Sequence, residues 1–218
     1  MTINEVKTVV RKEWTVEFRN KTSLLSVLFY LVAIIYINYI AFSANVKIET
    51  WNSILWVSLL LAHLLAIGRS FIGENDRTLY YYHLIKPSTL LVSKLLFGLG
   101  LSIALMILLI GLLSTLFPVL PDLTWPFYIN LLVGGSSLAC TFTLVSSISS
   151  NSSNQGVLMA VLGFPLAIPI LVVSVSNSRK LLLGANFEAV KSGITTSFSL
   201  LVIIIALLFI LFPYSWKK

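Results

Sequence analysis

The chain has 218 residues, of which 57% are hydrophobic and 11% charged, and its mean hydropathy is +0.95. A soluble domain carries about 25% charged residues, so this balance excludes a water-soluble globular fold, and disorder, a collagen repeat and a disulfide scaffold on the single Cys140 go with it. The net charge of +7 sits beside apolar runs rather than along a polar face with interleaved aromatics, which excludes a nucleic-acid surface and points to orientation in a bilayer.

Residues 1–23 come first. Ile3, Val6, Val10, Trp14 and Phe18 recur at steps of three or four, one stripe of a helix, with Lys7, Arg11, Arg19 and Lys21 around the remainder. Glu5, Glu13 and Glu17 interrupt the basic residues and no apolar core precedes Leu24, so the segment does not read as a signal peptide. The pattern predicts an amphipathic helix in the membrane interface, its stripe in the acyl boundary and its cations among headgroups. A plain solvated lead-in is the alternative.

Six apolar runs follow, at about 24–42, 51–72, 95–117, 127–149, 157–176 and 194–212, leaving a short tail at 213–218. Each is long enough to cross about 30 Å of hydrocarbon as a helix. Backbone amides find no water there, and the period-2 alternation of a barrel is absent, so the expected fold class is all-α: a polytopic membrane protein of six transmembrane helices. The fourth run is rich in Gly134, Gly135, Ser136, Ser137, Thr141 and Thr143, the small residues that closely packed membrane helices use.

Eleven of the fifteen Lys and Arg residues fall on the side shared by the two termini, and only Lys47, Arg179, Lys180 and Lys191 fall on the other. The positive-inside rule therefore places both termini in the cytoplasm. The outer connections at 43–50 and 118–126 are short, the second stiffened by Pro118, Pro121 and Pro126. The outer stretch 177–193, containing LLLGANFEAV, predicts a short surface helix, and the inner stretch 150–156 is polar but uncharged.

The cytoplasmic loop after the second run, GRSFIGENDRTLYYYHLIKP, mixes Arg69, Glu74, Asp76, Arg77, His83 and Lys86 with Phe71, Leu79, Leu84 and three consecutive tyrosines. Glu74 and Asp76 precede an apolar-aromatic stretch, as acids do at a helix N-terminus. Asp76, Leu79, Tyr80 and His83 share a face by spacing, and Lys86-Pro87 ends the element. A short amphipathic helix over about 74–86 lies on the membrane or enters a groove on a soluble partner, and the tyrosines favour the partner.

No GxxxxGK[ST] phosphate cradle occurs, so energy from ATP has to come from another chain. His63 and His83 have no second His or Cys at ligand spacing. His63, in the second span, is a functional candidate because polar groups at membrane depth are costly; the alternative is a neutral imidazole bonded between helices. No acid falls inside a span and Cys140 reads as packing, so the chain has no acid–base or nucleophilic centre and is not expected to be an enzyme. Pro165 and Pro169 predict a kink in the fifth span, serving as a hinge, as a pathway mouth, or simply tolerated.

Three stretches carry a family resemblance: SILWVSLLLAHLLAIGRSF (53–71), TLYYYHLIKPSTLLVSKLLFG (78–98) and VLGFPLAIPIL (161–171). With six spans, an inner charged helix and no ATPase motif, the chain resembles the ABC-2 type of ABC-transporter membrane subunit, and within it the haem exporter protein B family of cytochrome c maturation. Trp56, Arg69, Phe71, Lys94 and the double-proline span are the sharpest points of likeness. The family loop carries an acid before the arginine where this chain has Gly68, and a small glycine where Arg77 stands. The resemblance implies a permease-type subunit of the cell inner membrane that couples ATP hydrolysis by a separate cytoplasmic ATPase subunit to haem export or release of a haem-loaded chaperone. ATP would then sit on the ATPase and haem on a partner subunit, with no cofactor bound by this chain, and the partners would include other maturation membrane subunits and the chaperone. Export of another substrate (a lipid, glycan or drug) and a passive membrane scaffold are the alternative readings.

Overall fold

A computed structural model describes residues 3–19, 21–42, 46–68, 70–71, 86–117, 123–150, 152 and 154–216. Among them are seven helices and no strand: α1 (Ile3–Arg19), α2 (Lys21–Phe42), α3 (Ile48–Ile67), α4 (Pro87–Leu116), α5 (Trp125–Ser149), α6 (Gln155–Leu182) and α7 (Phe187–Trp216). Helices α2 to α7 are each long and apolar enough to cross a membrane, which agrees with the all-α, six-span fold class expected from the sequence.

The small residues of the fourth apolar run explain the arrangement. Helix α5 is the centre: 78% of its apolar window is buried, against 17% for α2 and for α7. Helices α3, α4, α6 and α7 all pack on it, because residues such as Gly134, Gly135, Ser137, Ala139 and Thr143 let neighbouring backbones approach. A Cβ on Gly98 of α4, for example, would stand 3.2 Å from Thr143 Oγ1. Helix α2 is peripheral and buries Val27, Leu31 and Ile35 at successive turns against α3 and α4.

Three helices overrun their apolar runs by more than a turn, and α7 (Phe187–Trp216) thereby takes in most of the tail expected at 213–218. Helix α4 begins at Pro87, where proline suits the first turn, and its early turns bury Thr89, Ser93 and Lys94 inside the bundle. Helix α6 continues through Asn177 and Ser178 to Leu182. The separate surface helix expected within 177–193 is therefore not formed. That stretch is the end of α6, a tight turn and the start of α7. Gly184 at φ +87 makes the turn, with its N–H donating to Leu181 O and that of Ala185 to Lys180 O, a glycine-closed helix end.

Helix α1 packs on α4 and α2, and its buried line differs from the expected stripe. Val6, Val9 and Glu13 are buried, Val10 and Trp14 are half-buried, and Phe18 is exposed. The reason is Glu13: a carboxylate that finds a cation inside the bundle turns its side of the helix inward. Trp14 then lies edge-on to Phe97, ring centroids 5.2 Å apart, over the space left by Gly100.

Candidate functional site

The residues that follow α3 form the root of the loop whose tyrosine-bearing part runs toward Lys86. Gly68 caps α3 in right-handed helical geometry, and its N–H donates to Leu64 O at 3.2 Å. Four other helices send a side chain to this root. From α5, the Ser146 hydroxyl donates to Gly68 O at 2.8 Å. From α6, Met159 Cε occupies the place a Cβ on Gly68 would take. From α4, the Lys94 ammonium donates to Ser70 O and lies 5.2 Å from the centroid of the Phe71 ring. From α7, Phe212 packs on Phe71 with centroids 5.8 Å apart.

Lys94 is 2% exposed, and a buried ammonium needs a counter-charge. Glu13 of α1 supplies it, with Lys94 Nζ 2.8 Å from Glu13 Oε2, while Lys12 Nζ holds Oε1 at 2.9 Å. Burial by itself would raise the Glu13 carboxyl; the Lys94 charge, helped by hydrogen bonds from Lys94 and Lys12, outweighs it and holds the group below its ordinary value. The pair thereby joins α1, α4 and the loop root.

A second polar assembly lies at the opposite end of the bundle, where α3, α5 and α7 start and α6 finishes. Asn130 of α5 donates to Ser174 O at 3.0 Å and to Ser178 Oγ at 2.9 Å, and accepts from Asn177 Nδ2 at 3.2 Å. From α3, Asn52 donates to Val175 O at 3.0 Å and Trp56 Nε1 to Ser178 Oγ at 2.9 Å. Gly134 makes room for Trp56 and Ser174, and Gly193 of α7 makes room for Asn177. Side-chain amides and hydroxyls thus bind the last turns of α6 to two neighbours in a setting where unpaired polar groups are costly.

His63 is fully buried between α3 and α4. Leu59 O, 2.7 Å from Nδ1, can only accept, so Nδ1 carries a hydrogen, and in the neutral ring Nε2 accepts from the Ser102 hydroxyl at 2.8 Å. Both ring nitrogens are therefore engaged within the bundle. Pro165 and Pro169 lie inside α6 on its exposed face, beside the buried Gly163, Ala167 and Ile170. Cys140 is buried in α5.

Arg69, Glu74, Asp76, Arg77, Leu79, Tyr80 and His83 lie outside the described residues; Phe71 and Lys86 flank most of them. The structure adds Glu13 and Ser146 at the root, and Asn52, Asn130, Asn177 and Ser178 at the far network, none of which the sequence marks as a site residue. The available signal was a lone polar residue in an apolar run, and a run of letters does not say which of these meet.

Two comparisons bear on identity. The family model described as "CcmB protein" matches residues 4–215. "Heme exporter protein B" of Bradyrhizobium diazoefficiens is 28% identical over 195 residues, covering 84% of each chain. With six membrane-length helices and a family match across nearly its whole length, this chain is a multi-pass membrane protein that belongs to the CcmB protein family.

Proposed function

We propose that the chain is the permease-type membrane subunit of an ABC transporter complex acting in cytochrome c maturation. It couples ATP hydrolysis on a separate ATPase subunit to haem export or to release of a haem-loaded chaperone. The observation that carries the reading is the loop root: α4, α5, α6 and α7 each place a side chain on Gly68–Phe71. A displacement applied to the loop beyond Phe71 therefore enters the packed core at one point and reaches four helices together. Coupling of this kind needs an element with two arrangements, biased from one side by nucleotide.

In this reading both termini and the loop around 74–86 face the cytoplasm, in the cell inner membrane, as the Lys and Arg asymmetry supports. Glu74, Asp76, Arg77, Leu79, Tyr80 and His83 form the surface that meets the ATPase, with Arg69 at the membrane boundary. ATP is carried by that partner and haem by another subunit or the chaperone. His63 supports this division, since both its ring nitrogens are already bonded within the bundle. Copurification of the ATPase with a Glu74→Lys/Asp76→Lys variant tests the reading. Loss of the ATPase and of c-type cytochromes is expected; undiminished binding with normal cytochrome yield would refute it.

A further inference from the structure

The pair between Glu13 and Lys94 joins an amphipathic helix outside the six membrane-length helices to the base of the loop. Lys94 has three N–H donors. One goes to Glu13 Oε2 and another to Ser70 O, and the ammonium also faces the Phe71 ring. The Ser70 hydroxyl is buried at the same place and has no hydrogen-bond partner, so nothing in its own side chain fixes it there. The grip on Ser70 comes from Lys94 through the backbone carbonyl, and Lys94 stays buried because Glu13 neutralises it.

Helix α1 also packs along α4 and α2. It buries Val6 and Val9, sets Trp14 over Gly100, and receives a long 3.4 Å bond from Ser93 to Val6 O. Lys7, Arg11, Val16 and Phe18 are exposed. Among these contacts the Glu13–Lys94 pair is the one that also reaches the loop root, through Ser70 O.

We propose that α1 is a latch: docked through Glu13, it makes Lys94 hold the Gly68–Phe71 root in place, and undocked it releases Lys94 and the root together. Glu13 is a positioning residue acting through Lys94. The latch rests on the ABC-transporter reading above only for its consequence, namely that a partner moving the loop must either carry α1 with it or open the pair.

The test uses the full-length chain in native membranes with Cys140→Ser and Ser70→Cys, which keeps the Ser70 carbonyl and places a thiol at the buried hydroxyl. Maleimide labelling of this thiol should be slow in the parent. It should be at least about tenfold faster with Glu13→Gln, since removing one partner of a buried ion pair is strongly unfavourable to the arrangement that remains. The swap Glu13→Lys/Lys94→Glu should return the rate to near the parent's. A second reporter, Ser174→Cys in the far network, should stay protected throughout and shows that the bundle is folded. Unchanged labelling in Glu13→Gln, or a swap as open as the single variant, overturns the latch. The ATPase subunit is not needed for this measurement. A protected root that opens as described but never responds to ATPase and nucleotide would sink the coupling reading and leave the latch standing.

Discussion

Alanine at Gly134 should force α5 away from α3 and α6 at the same time. A Cβ built there stands 2.6 Å from Ser174 Oγ and 2.6 Å from Trp56 Cη2, whereas ordinary contact begins near 3.4 Å. The Trp56 ring cannot swing aside cheaply. Trp56 is 1% exposed and anchored by its Nε1–H to Ser178 Oγ, and the Ser174 carbonyl accepts from Asn130. The helices must separate by about an ångström, and overpacking on that scale costs about 1–3 kcal/mol. Disruption of the Trp56–Ser178 bond adds about 0.6–1.7 kcal/mol, the range for hydrogen bonds between membrane helices. Gly111→Ala is the matched control, because a Cβ there meets nothing within 4 Å and alanine favours the helix by up to about 1 kcal/mol. Unfolding in detergent micelles, followed by tryptophan fluorescence, should therefore rank Gly111→Ala at or above the parent and Gly134→Ala roughly 2–4 kcal/mol below it. A Gly134→Ala protein as stable as Gly111→Ala would refute the close packing of α5 on which the fold description depends.

Asn130→Leu removes two donated bonds and one accepted bond, leaving Asn177 Nδ2 without its acceptor in the core. The same unfolding assay should show a loss of about 1–3 kcal/mol, and no loss would remove the network's structural role. A double-mutant cycle between His63→Leu and Ser102→Ala should return a coupling of about 0.6–1.7 kcal/mol, and additive singles would contradict the imidazole–hydroxyl bond. Acidification provides a third test, with a definite sign. The Glu13 carboxyl is held below its ordinary value of 4.5 when folded. Its contribution is thus fully present above that value and lost as pH falls through the depressed folded value. Limited proteolysis of α1 should increase over that acidic range in the parent, and Glu13→Gln should be flat across it; a parallel slope in both would assign the transition to another group.

The six membrane helices were legible because a span announces itself by length and apolarity alone, which need no partner to interpret. Their pairing was not legible, since a helix that is apolar all round shows no face. The fourth run illustrates both sides: its glycines, serines and threonines dilute its apolar character, yet those residues are what place it at the centre. The α1 stripe was displaced for a related reason. Periodicity counts Glu13 as polar and turns it outward, while Lys94, far along the chain, draws it in. Asn130 and Asn177 belong to different helices, and Asn52 of a third reaches Val175 O beside them, so only the fold reveals the network.

Contact between the loop and a nucleotide-driven partner is the claim most directly open to measurement. A photo-reactive residue at Tyr80, introduced into the chain in cells expressing the whole transporter, measures it. Crosslinks to the ATPase subunit whose yield changes with ATP are the expected result. No crosslink in membranes where the complex is assembled, or labelling of residues 74–86 from the exterior, would contradict the account.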